Sequence, residues 1–417
     1  DLKKKDKETE ITSIEEVESQ LICKNINISL IPSDNQKLWL MEALVKNNSW
    51  ILFEKLYGSL NSFFDLNSHL PLLNTILNYL EWLIEPVYRP ISPTRFTKKP
   101  VTLVNFPIHN SNLELQQIHQ LDLEGITKIA RVCKIVGPAI GKNVLVYTKL
   151  CRLFRHYLDH PSTENHNAIY EVLVYICTQI LLPAISLVKS NPGVIANLWN
   201  IIQDFDFSIR IQAYEEWFTF FIYSNSTLLL EGFNTIKQAT PWFKTVTADT
   251  VKQKGRILGN LSHNNPGLVF KLANQIIKNY SNLIEPIVNA LSYCSNLSMD
   301  VIIFLTLRDL SNAPYEDKAK TQLVQEGTIH DIHANFATFL GHFLRKYYTV
   351  DLTSIFSFLM NRIFQNQYLD LVILKEIISK MSGSESIEVL NQNQLQALAG
   401  GINLQIEGAS IANDFKK

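Results

Sequence analysis

Four cations, Lys244, Lys252, Lys254 and Arg256, cluster at one helix-to-helix junction, with Asp249 as the acid between them. Cations grouped in this way can neutralise phosphates, so the cluster is a candidate phosphate contact. A second set, Lys142, Lys149, Arg152 and Arg155, is spaced by seven, three and three residues, and one helix would present most of it together. Solvated helix faces carry such charges without any ligand, because Lys and Arg normally lie outside.

Other patterns resemble chemistry and fail on detail. Gly137-Pro-Ala-Ile-Gly141-Lys142 imitates a phosphate loop but is one residue short between its glycines. Asn143 stands where Ser or Thr should hold Mg²⁺, and no strand pattern precedes it. It reads as a helix break. His330, His333 and His342 lie near Asp331, but His333 and His342 are nine apart and face opposite sides of a helix. His156 and His160 share a face with no third ligand near, so surface or capping roles are expected for the histidines. No Ser or Cys has a nucleophile-elbow context and no carboxylate pair stands out. The expectation is a protein with no catalytic, metal or cofactor site.

The whole chain agrees with that reading. It has 417 residues, 46% hydrophobic and 18% charged, with a net charge of −1. This is a folded composition with no global field for nucleic acid or membrane surfaces. Cys23, Cys133, Cys151, Cys177 and Cys294 form no CxxC pair and read as reduced core thiols. Asn-x-Ser/Thr triplets at Asn225 and Asn260 read as chance. Residues 168–188 carry one charge, Glu171, yet Tyr175, Gln179 and Pro183 interrupt them, so a buried core helix is expected there. The chain opens on Asp1 and ends in a polar stretch, which reads as a piece of something longer.

The elements that must carry these residues are helices. In the stretch 255–280, Asn265 is placed to cap a helix and Pro266 to occupy its first position. Val269, Leu272, Ala273, Ile276 and Tyr280 then make one apolar stripe. Further helices are expected over 35–60, 70–83, 113–121, 123–136, 142–158, 165–188, 195–202, 206–223 and 227–238. After 283–294 and 299–310 they resume over 331–347, 351–364 and 369–381. Short breaks between them force antiparallel neighbours. The fold class is therefore all-α, an extended α-solenoid of antiparallel HEAT-like helix pairs. The expected layout is a flexible charged lead-in (1–19), an N-terminal helical segment (20–85) and a basic proline-rich connector (86–112). A helical repeat region (113–254), further repeats (255–401) and a loose tail (402–417) complete it. Pro86, Pro90, Pro93, Pro100 and Pro107 define the connector, where no helix is expected.

Four stretches carry a family resemblance. They are Gly255-Arg256, Gly259 and Leu261-Ser262-His263 leading to Asn265-Pro266; Arg210, Tyr214 and Trp217; Arg345-Lys346-Tyr347 running into Asp351-Leu352; and Asp370-Leu371 with Ile373-Leu374-Lys375-Glu376, Lys380-Met381, Gly383, Leu395, Leu398 and Gly400-Gly401. In that order and spacing, the chain resembles the family of the second and largest subunit of the THO complex, over about 197–407. It departs from the family pattern at Tyr348, where Pro is usual, and at Ala399, where Thr is usual.

The resemblance implies a nuclear scaffold with no cofactor: a helical solenoid with a MIF4G-like region, resembling the middle domain of translation-initiation scaffolds. It implies partners in the other THO subunits and a DEAD-box RNA helicase, within the TREX pathway that couples transcription to mRNA packaging and export. Lys244, Lys252, Lys254 and Arg256 are the candidate contacts for helicase or RNA. Arg210, Tyr214, Trp217, Gly259, Ser262, His263, Asn265 and Pro266 are expected to be structural. A different helical-repeat adaptor, such as a transport receptor or coat subunit, and an RNA-binding repeat protein remain the alternatives. The second would need aromatic and basic residues recurring at the repeat period, and none do.

Overall fold

The computed structural model describes residues 35–60, 66–91, 117–161, 165–247, 250–312, 328–368 and 370–382. Among these residues every regular element is helical and none is a strand, as the apolar periodicity requires. The longer helices are α1 (Gln36–Lys46), α2 (Trp50–Leu60), α3 (Leu70–Tyr88), α4 (Leu123–Val136), α5 (Val144–Asp159) and α6 (His166–Leu187). Next come α7 (Pro192–Ile202), α8 (Phe207–Glu216), α9 (Ser226–Thr245), α10 (Val251–Asn264), α11 (Pro266–Asn279) and α12 (Ile284–Ala290). The series ends with α13 (Asn296–Asn312), α14 (Thr328–Lys346), α15 (Thr353–Phe364) and α16 (Leu371–Ser382). Two compact units are present: 1–276 with 289–311, and 277–288 with 312–417.

Asparagine starts many of these helices. Asn143 Oδ1 accepts from the Leu145 and Val146 N–H groups, and Asn191 Oδ1 accepts from Gly193, with Pro192 in the first helical position. Asn225 Oδ1 accepts from Thr227 and Leu228, so the Asn225-x-Thr triplet has a physical use as an N-cap. His69 caps α3 through Nδ1, which accepts from Leu72.

Within the first unit, helices pack on neighbours one and two places along: α1 on α2 and α3, α3 on α4 and α5, α4 on α6, α5 on α7, and α9 on α10. Helix α3 is the most enclosed of this group. Leu73, Ile76, Leu77, Leu80 and Ile84 are buried as the periodicity predicts, and Leu72, Tyr79 and Leu83 are buried on its other side. Burying each such aliphatic side chain contributes about 1.5–3 kcal/mol. In the second unit α14 packs against α16.

Several expectations change. Helix α3 runs through Pro86 to Tyr88 instead of breaking there. Pro86 cannot donate to the Trp82 carbonyl, and Gln117 Nε2 donates to that oxygen instead at 3.1 Å, which offsets the lost bond. Residues 117–122 are not helical, and Asp122 caps α4. Helix α9 continues past 238 to Thr245 with Pro241 inside it. The lead-in 1–19, residues 92–112 of the connector, 113–116 of the helix expected over 113–121, Asp249, Gly383, Gly400-Gly401 and the tail lie outside the described residues.

The apolar segment is one helix, His166–Leu187, long and apolar enough to cross a membrane. Its most apolar window is 61% buried inside the protein, as a core helix would be. It contains a π-turn at Cys177–Leu181, and α8 continues into another at Trp217–Phe221. Gln179 of the first donates to Glu216 at the edge of the second.

Candidate functional site

The cation junction divides into two pairs. Lys252 and Arg256, four residues apart on α10, are exposed and make no ion pair among the described residues. Lys244 is exposed on α9. Lys254 is spent on the junction itself: its Nζ donates to the Thr245 carbonyl, and its own carbonyl accepts from Trp242 Nε1 at 2.7 Å. Lys252 and Arg256 are therefore open to solvent, while Lys254 closes the α9–α10 turn.

Lys142, Lys149, Arg152 and Arg155 do not form one exposed basic face. Lys149 is buried, and its Nζ donates to Glu81 Oε1 at 2.7 Å and to Glu85 Oε2 at 2.8 Å, both on α3. Burial works against the Lys149 ammonium, but hydrogen bonds to these two carboxylates outweigh it and raise its pKa. Arg152 donates to the Tyr88 hydroxyl at 3.2 Å, and Arg155 bridges Asp159 and Asp204. Lys142 donates to the Asn67 carbonyl at 3.2 Å. Helix α5 uses Lys149, Arg152 and Arg155 mainly to bind its neighbours, and Lys142 lies in the turn before it.

Arg210, Tyr214 and Trp217 are all buried. The Tyr214 hydroxyl donates to Asp300 Oδ2 at 2.8 Å, and Arg210 Nη1 reaches the same oxygen at 3.4 Å. Burial and the Asp300 charge hold the Tyr214 phenol well above its ordinary pKa, so it stays a donor. Trp217 begins the π-turn and stacks on Phe218 with centroids 4.8 Å apart.

The Gly255–Pro266 stretch is a packing seam. A Cβ on Gly259 would lie 2.5 Å from the Tyr293 carbonyl oxygen, and one on Gly255 would lie 2.5 Å from the Tyr293 ring. Ser262 Oγ donates to Gly259 O at 2.9 Å and lies 3.4 Å from Cys294 Sγ, while the Ser262 carbonyl accepts from Ser298 at 3.3 Å. His263 is buried, and burial lowers its pKa. Pro266 opens α11, but the Asn265 side chain does not cap it: Nδ2 donates instead to Thr235 Oγ1 on α9 at 2.8 Å. The buried side of α11 is Val269, Phe270, Ala273, Asn274 and Ile277; Leu272 and Ile276 are half-buried and Tyr280 is exposed.

The remaining candidates have structural uses. Gly137–Lys142 is a 3₁₀ turn with Gly137 at φ 57°, and Gly141 lies against the Ala184 carbonyl, leaving no room for a phosphate. His333 is buried instead of on the surface, 3.7 Å from Asp370, which also lies 3.2 Å from Arg362 Nε. Burial raises the Asp370 carboxyl above its usual range. Cys133, Cys151 and Cys177 are buried and Cys294 is half-buried; all four are free thiols, with Cys133 and Cys294 pushed up to about 12 by burial. No group of three metal-ligating side chains occurs among the described residues.

Two family models match. Residues 112–256 match the THO complex subunit 2 N-terminus, and residues 258–328 match a transcription- and export-related complex subunit. The chain is 29% identical to human THO complex subunit 2 over 386 residues, which is 90% of this chain and 24% of that protein. The chain belongs to the THO complex subunit 2 family. The Arabidopsis thaliana member is 26% identical over 91% of the chain, and the Saccharomyces cerevisiae member 23% identical over 68%. The chain spans about a quarter of the length of the human family member. The three junction cations on α10, Lys252, Lys254 and Arg256, fall in the first family match, as do Arg210, Tyr214 and Trp217, while Asp300 falls in the second. No local motif marks Asp300; its one signal in the sequence is an acid set among the apolar residues of α13.

Proposed function

We propose that this chain is a non-catalytic scaffold segment of a nuclear THO-type complex. It holds other subunits of that complex and docks a DEAD-box RNA helicase, and so serves the coupling of transcription to mRNP assembly and mRNA export. The observation that carries this reading is the similarity to THO complex subunit 2 over 90% of the chain. The packing of helices on neighbours one and two places along supports a solenoid of antiparallel HEAT-like pairs, with the MIF4G-like region over 255–401. Such a surface presents grooves between helices that suit partner helices.

Lys244, Lys252 and Arg256 are the contacts assigned to the helicase or its RNA, with Lys254 holding the turn that carries them. The test co-expresses the full chain with the other THO subunits and the helicase. Copurification, and a helicase ATPase rate that falls with Lys252→Glu/Arg256→Glu, is the expected result. A chain that recovers no THO subunit overturns the scaffold reading. An unchanged ATPase rate and pull-down in the double variant overturns the assignment of the α10 cations.

A further inference from the structure

A groove of about 460 Å³ opens in the first unit between the π-turn of α8, the first turn of α11 and the later part of α13. Its floor is apolar: Phe218, Leu268 and Leu305, all nearly buried. Phe218 lies across the start of α11 because residue 267 is glycine; a Cβ there would run into the ring. The rim is cationic. Lys271 is exposed and makes no ion pair among the described residues, and Arg308 stands beside it on α13. Arg308 Nη1 lies 3.3 Å from Glu215 Oε2, and its guanidinium sits 5.7 Å over the Phe304 ring, so it is oriented and partly neutralised. No carboxylate lines the groove itself, and the start of α11 adds field of the same sign.

An apolar floor under a positive rim complements one occupant in particular: a peptide that alternates acidic and apolar side chains. We propose that this groove binds an acidic, leucine-bearing peptide segment of a partner protein, with carboxylates at Lys271 and Arg308 and an apolar side chain over Phe218 and Leu305. RNA suits it less well. Lys271 and Arg308, the latter already paired with Glu215, make no phosphate track for a nucleic-acid strand. The site is separate from the α10 cations assigned above, and its partner is defined by chemistry alone.

The experiment is fluorescence anisotropy with the full chain and a short labelled peptide of alternating Glu and Leu. A Lys/Leu peptide and an oligouridine serve as comparators. The wild type is expected to bind the Glu/Leu peptide. Lys271→Glu reverses one rim charge and Thr219→Trp fills the mouth without changing charge; each is expected to weaken binding about fivefold to tenfold with an unchanged melting temperature. Lys252→Glu/Arg256→Glu is expected to leave this binding intact, which separates it from the helicase assignment. No binding by the wild type, equal binding of the Lys/Leu peptide, or binding indifferent to both groove variants overturns the proposal. So does an oligouridine that binds in place of the peptide and is lost with Lys271→Glu.

Discussion

The Tyr214 hydroxyl donates to Asp300 Oδ2 at 2.8 Å, joining α8 to α13 across 86 residues of sequence. Arg210 approaches the same oxygen, so a buried cation and a phenol converge on one carboxylate. Asp300→Ala leaves the Arg210 charge buried without its acid and is expected to cost about 3–5 kcal/mol. Tyr214→Phe removes one bond to a charged group and is expected to cost about 1.5–3 kcal/mol. Urea unfolding of the two variants and of their combination checks this. The double variant should lose less than the sum, because both changes strike one network.

Two glycines should respond to alanine with opposite signs. Gly58 lies in α2, exposed, with nothing within 4 Å of an added Cβ. Gly58→Ala is therefore expected to stabilise by about 0.5–1 kcal/mol through helix propensity. Gly259→Ala forces α10 away from the Tyr293 carbonyl and is expected to destabilise by more than about 1 kcal/mol. Thermal melts of the two variants decide it; a higher melting temperature for Gly259→Ala would contradict the close approach.

What the sequence made legible follows from range. Helix α4 was placed from periodicity residue for residue, and Pro266 at the start of α11 from local rules. The errors came from partners far along the chain. Lys149 looked like one of a basic set because Glu81 and Glu85 lie 68 and 64 residues away. Asn265 looked like a cap because Thr235, its real partner, is on another helix. On α11, Phe270, Asn274 and Ile277 are buried where the stripe has Leu272, Ile276 and Tyr280, and a period of 3.6 does not reveal a tertiary partner such as Asp309 for Asn274. Pro86 looks like a stop because its compensation, Gln117, lies 35 residues from the Trp82 carbonyl that it serves.

Acid should weaken the first unit through His263. Burial holds its pKa below the ordinary 6.5, so the folded state resists the proton that the unfolded chain accepts. Stability from this residue is therefore intact above pH 6.5 and is lost as pH falls through 6.5 toward the lowered value. His263→Gln is expected to flatten the fall in melting temperature between about pH 7.5 and 5.5. An equal slope in wild type and variant would show that His263 titrates freely.

Lys149 provides the sharpest separation of a structural cation from a ligand-binding one. Its ammonium is the shared partner of Glu81 and Glu85 and lies 5.3 Å over the Tyr88 ring. Lys149→Ala strands two carboxylates near the core and is expected to cost about 3–5 kcal/mol. The triple change Lys149→Met/Glu81→Gln/Glu85→Gln removes all three charges and keeps their bulk, so it should be less damaging than Lys149→Ala alone. Because the pair raises the Lys149 pKa above its ordinary 10.5, its contribution is full below that value and lost as pH rises through the raised one. Wild type should therefore show an alkaline loss of stability that the triple variant lacks. RNA or helicase binding, measured on the folded triple variant, is expected to match wild type. A selective loss of binding there would return Lys149 to the interaction surface.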